Sequence, residues 1–421
     1  METFLNIFRS KDLRKKILIV VGYLLIFRFL SAIPLPGVDQ EQLALFFTQN
    51  QYLGLVNILS GGALSNFSIV MLGISPYITA TIILQLLTMV FPSLKTIYYE
   101  GGEAGRAKFN QYAKYLTVII GFVQGFGFLN YLKAQKVITQ LSGLDLIINV
   151  VIITAGSVFL MWLGELITEQ KIGNGTSLII FVGILARIPN SIRNNILTFT
   201  PNQIYSYFMF IIIAIITILG VIYINEADRK IPVNYAKRVR GMKVYGGVPT
   251  YLPLKINQAG VIPIIFAISI LLLPSMLGQI LALFNNQTLI NIANALQQFL
   301  NNQLAYGISY FVLVVAFTYF YTALTFEPNE ISKNLQKQGG FIAGIRPGDQ
   351  TAHYLSNVLN RITLFGALFL GIIAVLPLIV QALTGISSIS LGGTSLLILV
   401  SVGLEIIKAI KSQLIMREYE I

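Results

Sequence analysis

The sequence predicts an all-α integral membrane protein of ten transmembrane helices, and three observations carry that expectation. The 421 residues are 55% hydrophobic and only 11% charged, against the roughly 25% charged residues of a soluble domain. A mean hydropathy of +0.75 leaves too little polar surface to face water, so the bilayer is the natural solvent. The apolar residues run in long continuous stretches rather than alternating, which favours helices over a closed barrel.

The stretches fall at 17–35, 69–91, 112–132, 146–168, 176–190, 203–225, 256–284, 303–326, 362–384 and 394–411. Most approach the roughly 20 residues that cross about 30 Å of hydrocarbon. The basic run 9–16 ahead of the first stretch resembles a signal peptide. No small-residue cleavage site follows it, so it reads as an uncleaved first span.

Charge sets the expected orientation. The net charge is +12, and most Lys and Arg residues collect on one side. They lie in the N-terminal segment, around Arg106, in the loops 226–257 and 327–361, and in the tail. Lys133, Lys136, Arg187 and Arg193 fall on the other side. Positive residues stay in the cytoplasm, so both termini are expected there, as an even number of spans requires.

The segment 55–65 is apolar but short, and Gly61 and Gly62 interrupt it. Its length suits a re-entrant half-helix, tolerated only where protein or a water-filled cavity surrounds it. An ordinary extracytoplasmic loop helix fits as well.

The spans lack what transport chemistry usually needs. Residues 256–326 and 362–404 hold no charge, and Arg28 is the one charge well inside a span. Ion-coupled transporters and intramembrane hydrolases place ionisable groups near the midplane, so both classes are disfavoured. With no cysteine and a single histidine, His353, no metal site and no cofactor are expected. No Gly-x-x-x-x-Gly-Lys-Ser/Thr run occurs, so any energy must come from a partner or an ion gradient. Pro76 and Pro263 lie early in their spans among isoleucines, where a break would favour a constriction or a moving helix.

A set of ordered runs makes the pattern specific. They are Ile33-Pro34-Leu35-Pro36-Gly37, Ser60-Gly61-Gly62-Ala63-Leu64-Ser65, Leu72-Gly73-Ile74-Ser75-Pro76-Tyr77-Ile78-Thr79-Ala80 and Gly173-Asn174-Gly175-Thr176-Ser177. Val233-Asn234-Tyr235-Ala236-Lys237-Arg238, Leu252-Pro253-Leu254-Lys255-Ile256-Asn257, Gly344-Ile345-Arg346-Pro347-Gly348 and Gly392-Gly393-Thr394-Ser395-Leu396-Leu397-Ile398 follow in order. Over essentially its whole length the sequence resembles the SecY family, the channel subunit of the Sec protein translocon.

The resemblance implies two inverted halves of five helices, 1–192 and 193–421, with the conduction route between them. It implies a mid-membrane ring of Ile74, Ile78, Ile180, Ile265 and Ile398. Thr176 departs from the family's isoleucine after Gly-Asn-Gly, so its place in the ring is open. An aliphatic collar offers no hydrogen bond to an ion that sheds water, and such constrictions block conduction by dewetting. Ser60, Gly61, Gly62, Ala63, Leu64 and Ser65 match the family's plug, which the resemblance places at about 55–68. Gln85 and Ser269 are the polar residues implied at a lateral gate between the second and seventh spans.

Arg238, Arg240, Lys243 and Arg346 match surfaces on which the family docks the SecA motor or the ribosome. Further implied partners are the small subunits SecE and SecG, signal peptides, nascent polypeptides and membrane lipids, anionic lipid among them. The plasma membrane is the implied location. A small-solute transporter and a pore-less membrane enzyme or insertase are rival readings, the first needing a polar midplane site and the second no collar; a closer rival is an accessory member of the family devoted to a few exported substrates.

Overall fold

The computed structural model describes residues 10–36, 60, 62–64, 66–99, 101–134, 143–197, 201, 204–235, 238–240, 243–245, 250–281, 286–384 and 393–418. Helix α1 (Lys11–Ala32) begins where Ser10 Oγ accepts the Leu13 N–H at 3.4 Å, with Asp12 in the first turn. Such a start satisfies an orphan donor and suits the helix dipole. The helix stops ahead of Pro34 because the residue before a proline is driven towards extended backbone, which Ile33 adopts. The chain then pairs with a segment further on. Leu35 N–H donates to the Phe67 carbonyl at 2.9 Å and Ile69 N–H to the Ile33 carbonyl at 3.1 Å.

Turns lead from Phe67 to Ile74, and α2 (Ser75–Val90) starts with Pro76 in its first turn. Pro76 therefore opens this helix rather than interrupting it. At the first turn the missing N–H costs nothing, and the fixed φ favours helix. Pro263 likewise occupies the start of a later helix, Ile262–Leu281, whereas Pro274 lies inside it.

A 116° bend separates α2 from α3 (Pro92–Tyr99). Helices α4 (Gly102–Ala134), α5 (Gly143–Glu169), α6 (Gly175–Leu185), α7 (Ile188–Leu197) and α8 (Ile204–Glu226) follow. Helix α6 is capped by Asn174, whose side chain accepts the N–H groups of Thr176 and Ser177 at 3.0 and 3.3 Å. Where α5 crosses the chain ahead of α2, Gly156 is required by space. A Cβ there would collide with the Ile69 carbonyl oxygen.

After α8 the chain forms a small sheet where the sequence pattern shows only basic loops. Strands β1 (Asp228–Tyr235), β4 (Thr250–Lys255) and β5 (Gly340–Phe341) pair antiparallel in the order β4-β1-β5. Between β1 and β4, β2 (Arg238–Arg240) and β3 (Lys243–Tyr245) make a hairpin. Alternation drives β1, since Ile231 and Val233 point to one side and are buried with Leu254, Ile342 and Leu355. One sheet therefore ties the loops 226–257 and 327–361 into a single body.

The remaining helices are α9 (Ile262–Leu281), α10 (Gln287–Asn301), α11 (Gln303–Thr325), α12 (Pro328–Lys337), α13 (Asp349–Thr384) and α14 (Gly393–Glu418). Each of the ten apolar stretches thus carries a helix. Among the described residues five helices are by themselves long and apolar enough to cross a membrane. They are α4, α5, α8, α11 continued through α12, and α13, over the stretches Gly102–Asn130, Gly143–Glu169, Tyr207–Glu226, Gln303–Lys337 and Asp349–Gln381. The bent pair α2–α3 adds a sixth if it forms one span. Lipid is the natural cover for side chains such as Phe29, Ile216, Leu219 and Phe365, which are large, apolar and exposed.

Polar ties lie where the apolar stretches end. Lys114 and Glu165 join α4 to α5 at 2.7 Å, and Lys408 and Glu226 join α14 to α8 at 2.7 Å. Asn257 Nδ2 donates to Asn225 Oδ1 at 2.8 Å, and Asn225 Nδ2 to Ser401 Oγ at 2.7 Å. Gln413 Nε2 donates to the Lys171 carbonyl at 2.6 Å, holding the tail of α14 against the α5–α6 turn.

Candidate functional site

The largest buried apolar cluster gathers residues that are far apart in the chain. Ile74 precedes α2, Ile78 lies on it, Ile180 on α6, Ile265 on α9 and Ile398 on α14, and all five are buried in this one cluster. Local signals start the helices that carry them. Asn174 caps α6, so that its first turns bring Leu178 and Ile180 into the cluster. Pro76 and Pro263 start α2 and α9 just ahead of Ile78 and Ile265.

Ile74 is the cap residue of α2, and its carbonyl accepts the Ile78 N–H at 3.1 Å, so the two enter the cluster one turn apart. The cluster also holds Ala63, Val20 and Phe27. The five isoleucine side chains offer no hydrogen bond to water or to an ion. The polar atoms of Thr176 are held locally. Its hydroxyl and its N–H are both tied to Asn174 Oδ1 in the first turn of α6.

Of the plug-matching residues, Ser60, Gly62, Ala63 and Leu64 are described, while Gly61 and Ser65 lie outside the described residues. The described part is a chain of turns. Leu64 N–H donates to Ser60 Oγ at 3.1 Å, Ser68 N–H to the Ala63 carbonyl at 3.1 Å, and Asn66 Nδ2 to the Ser31 carbonyl at 3.3 Å. Ala63 packs into the isoleucine cluster, and Leu64 and Phe67 into a second one with Leu129, Leu146 and Val150. Arg187 lies against this segment, with its Cδ 3.0 Å from where a Gly62 Cβ would sit.

Gln85 and Ser269 lie on α2 and α9, two helices in direct contact. Ser269 is buried and donates to the Ile265 carbonyl at 2.9 Å. Gln85 Oε1 is buried with no hydrogen-bond partner among the described residues. The two residues thus sit on touching helices without a hydrogen bond between them.

In the hairpin, Arg238 and Arg240 occupy β2 and Lys243 occupies β3, with Arg240 opposite Lys243. Arg346 stands in the turn between β5 and α13. Gly344, at φ +78°, makes that turn in a conformation that side chains resist. The Thr351 hydroxyl donates to the Arg346 carbonyl at 2.8 Å, and Ser332 Oγ to the Gly348 carbonyl at 2.6 Å. The cation is thus presented on a braced turn.

Sequence reasoning missed three parts of this arrangement. They are the sheet, the entry of Phe27 and Ala63 into the cluster, and the tie of Gln413 on α14 to the Lys171 carbonyl. The β1 alternation was the one available signal for the sheet. For the other two nothing in the local pattern distinguishes these residues from their neighbours.

Residues 68–407 match the SecY family model. The Protein translocase subunit SecY of Thermotoga maritima is 43% identical over 431 residues, covering 100% of this chain and 97% of that one. The Protein translocase subunit SecY of Mycobacterium tuberculosis is 41% identical over 442 residues, covering 100% and 99%. Among solved structures, "The structure of a protein conducting channel" superposes with a TM-score of 0.65 at 20% identity, over 93% of this chain and 90% of that one. "Sec61 in the Canine ribosome-channel complex from the endoplasmic reticulum" gives 0.61 at 20% identity, over 93% and 90%. At that identity the two structures speak for the fold.

Proposed function

The chain belongs to the SecY family, and on that basis we propose that it is the protein-conducting channel subunit of a Sec translocon. It passes unfolded secretory polypeptides across the plasma membrane and releases membrane-protein helices sideways into lipid. The observation that carries the reading is the convergence of Ile74, Ile78, Ile180, Ile265 and Ile398 from four separate parts of the chain into one apolar cluster that Ala63 joins. A dry, deformable collar resists ions yet parts for a polypeptide.

In this reading ten spans form two inverted halves, 1–192 and 193–421, with both termini in the cytoplasm. The basic loops support that orientation. The segment 60–65 is the plug of an idle channel, and the packing of Ala63 against the cluster supports a closed state. The contact of α2 with α9 supports a lateral gate there, with Gln85 and Ser269 as its polar members.

SecA and the ribosome are the proposed drivers, docking on the hairpin that carries Arg238, Arg240 and Lys243 and on the turn of Arg346. SecE, SecG and anionic lipid complete the proposed assembly. The solved Sec61 structure is by its own description a ribosome–channel complex, which supports the ribosome as a partner. A basic surface of this kind binds rRNA phosphates electrostatically.

The test is reconstitution of the chain with its small subunits into vesicles, with SecA, ATP and a signal-bearing precursor. Protease-protected precursor that depends on the signal is expected. Failure to protect any precursor while the complex remains folded rejects the channel assignment.

A further inference from the structure

A cavity of about 540 Å³ opens between the C-terminal ends of α2 and α11 and the first half of α13. One wall is Thr88 on α2 and Lys95 on α3; the other is Thr322 on α11, Glu327 ahead of α12, and Ser356 and Thr363 on α13. Its size is that of an ordinary ligand site. Its lining is unlike the apolar cluster, because hydroxyls and two opposite charges face one space. Neither Lys95 nor Glu327 belongs to an ion pair among the described residues.

The neighbours of the cavity say where it lies. Met89 lines it, and Met89, Val90, Leu364 and Phe365 are exposed apolar residues beside it. Side chains of that kind face hydrocarbon, while Lys95 and Glu327 require water or headgroups. The cavity therefore sits at the edge of the bilayer, where a lipid can enter by its headgroup with its acyl chains left along the apolar rim.

We propose that this cavity binds the headgroup of a zwitterionic, ethanolamine-bearing phospholipid. Lys95 takes the phosphate with help from the hydroxyls, and Glu327 takes the ammonium. Charge decides between lipids. A purely anionic headgroup leaves Glu327 unpaired against a negative ligand, whereas a phosphate and a primary ammonium engage both side chains by charge-assisted hydrogen bonds. Because the walls come from α2–α3 and from α11–α13, the bound lipid bridges the early and late parts of the chain. The site rests on the fold and on membrane residence, not on what the channel conducts.

The experiment is native mass spectrometry of the full chain purified in detergent and offered phosphatidylethanolamine, phosphatidylglycerol or phosphatidylcholine. Phosphatidylethanolamine is expected to be retained best. Lys95→Gln and Glu327→Gln should each lower its retention by about tenfold, the loss of one charge-assisted hydrogen bond. Glu327→Gln should not weaken phosphatidylglycerol. Both side chains are exposed, so thermal melting should be unchanged in the variants. Equal retention of the three lipids, or no effect of either variant on phosphatidylethanolamine, overturns the proposal. Displacement of the lipid by equimolar soluble glycerophosphoethanolamine overturns the lipid as ligand.

Discussion

Ile78 and Ile265 are small in number of atoms but decisive in chemistry, because they stand in an apolar cluster. Ile78→Asn and Ile265→Asn put an amide there without a partner. That costs roughly 1–3 kcal/mol unless water enters to solvate it, and water that enters also carries ions. Conductance measured across planar bilayers should rise several-fold, and unchanged conductance would reject the collar assignment. Arg346 acts by a different rule. It stands on a braced turn, so Arg346→Glu should abolish motor-driven translocation while leaving thermal stability within about 0.5 kcal/mol of the parent. Loss of stability together with translocation would mean that the residue is structural.

Among the elements, close approach between backbones does more than propensity. Gly156 lets α5 lie against the Ile69 carbonyl, with no room there for a Cβ. Gly156→Ala must push away the turns between Phe67 and Ile74, which are also the root of the plug-matching segment. The expected cost is about 1–3 kcal/mol, with raised ion leak in the same preparation. A melting temperature and a leak both equal to the parent's would contradict this packing. The small sheet makes the same point in another way. Its strands were legible only as the brief alternation of Ile231 and Val233, while the pairing partner β5 lies about a hundred residues on in the chain.

Across the whole chain, the ends of the spans hold the early and late parts together. Gln413 Nε2 donates to the Gln170 and Lys171 carbonyls, joining α14 to the turn before α6. If opening separates these parts, Gln413→Ala should loosen the closed state by about 1 kcal/mol. Single-channel recording should then show a higher open fraction; a fraction unchanged from the parent would place the moving contact elsewhere.

The solvent, the helical class and the positions of the ten apolar stretches could all be read from the order of residues. Those properties are local or additive: hydropathy sums along a window, and charge acts where it stands in the chain. The residues of the isoleucine cluster were legible through their motifs, as was the turn that carries Arg346. Folding alone brings Ile74, Ile78, Ile180, Ile265 and Ile398 to one place, adds Ala63 and Phe27 to them, and ties the Thr176 hydroxyl to Asn174. Folding also joins two loops in one sheet. Such features depend on contacts between distant segments, and no local pattern encodes which distant segment will supply the partner.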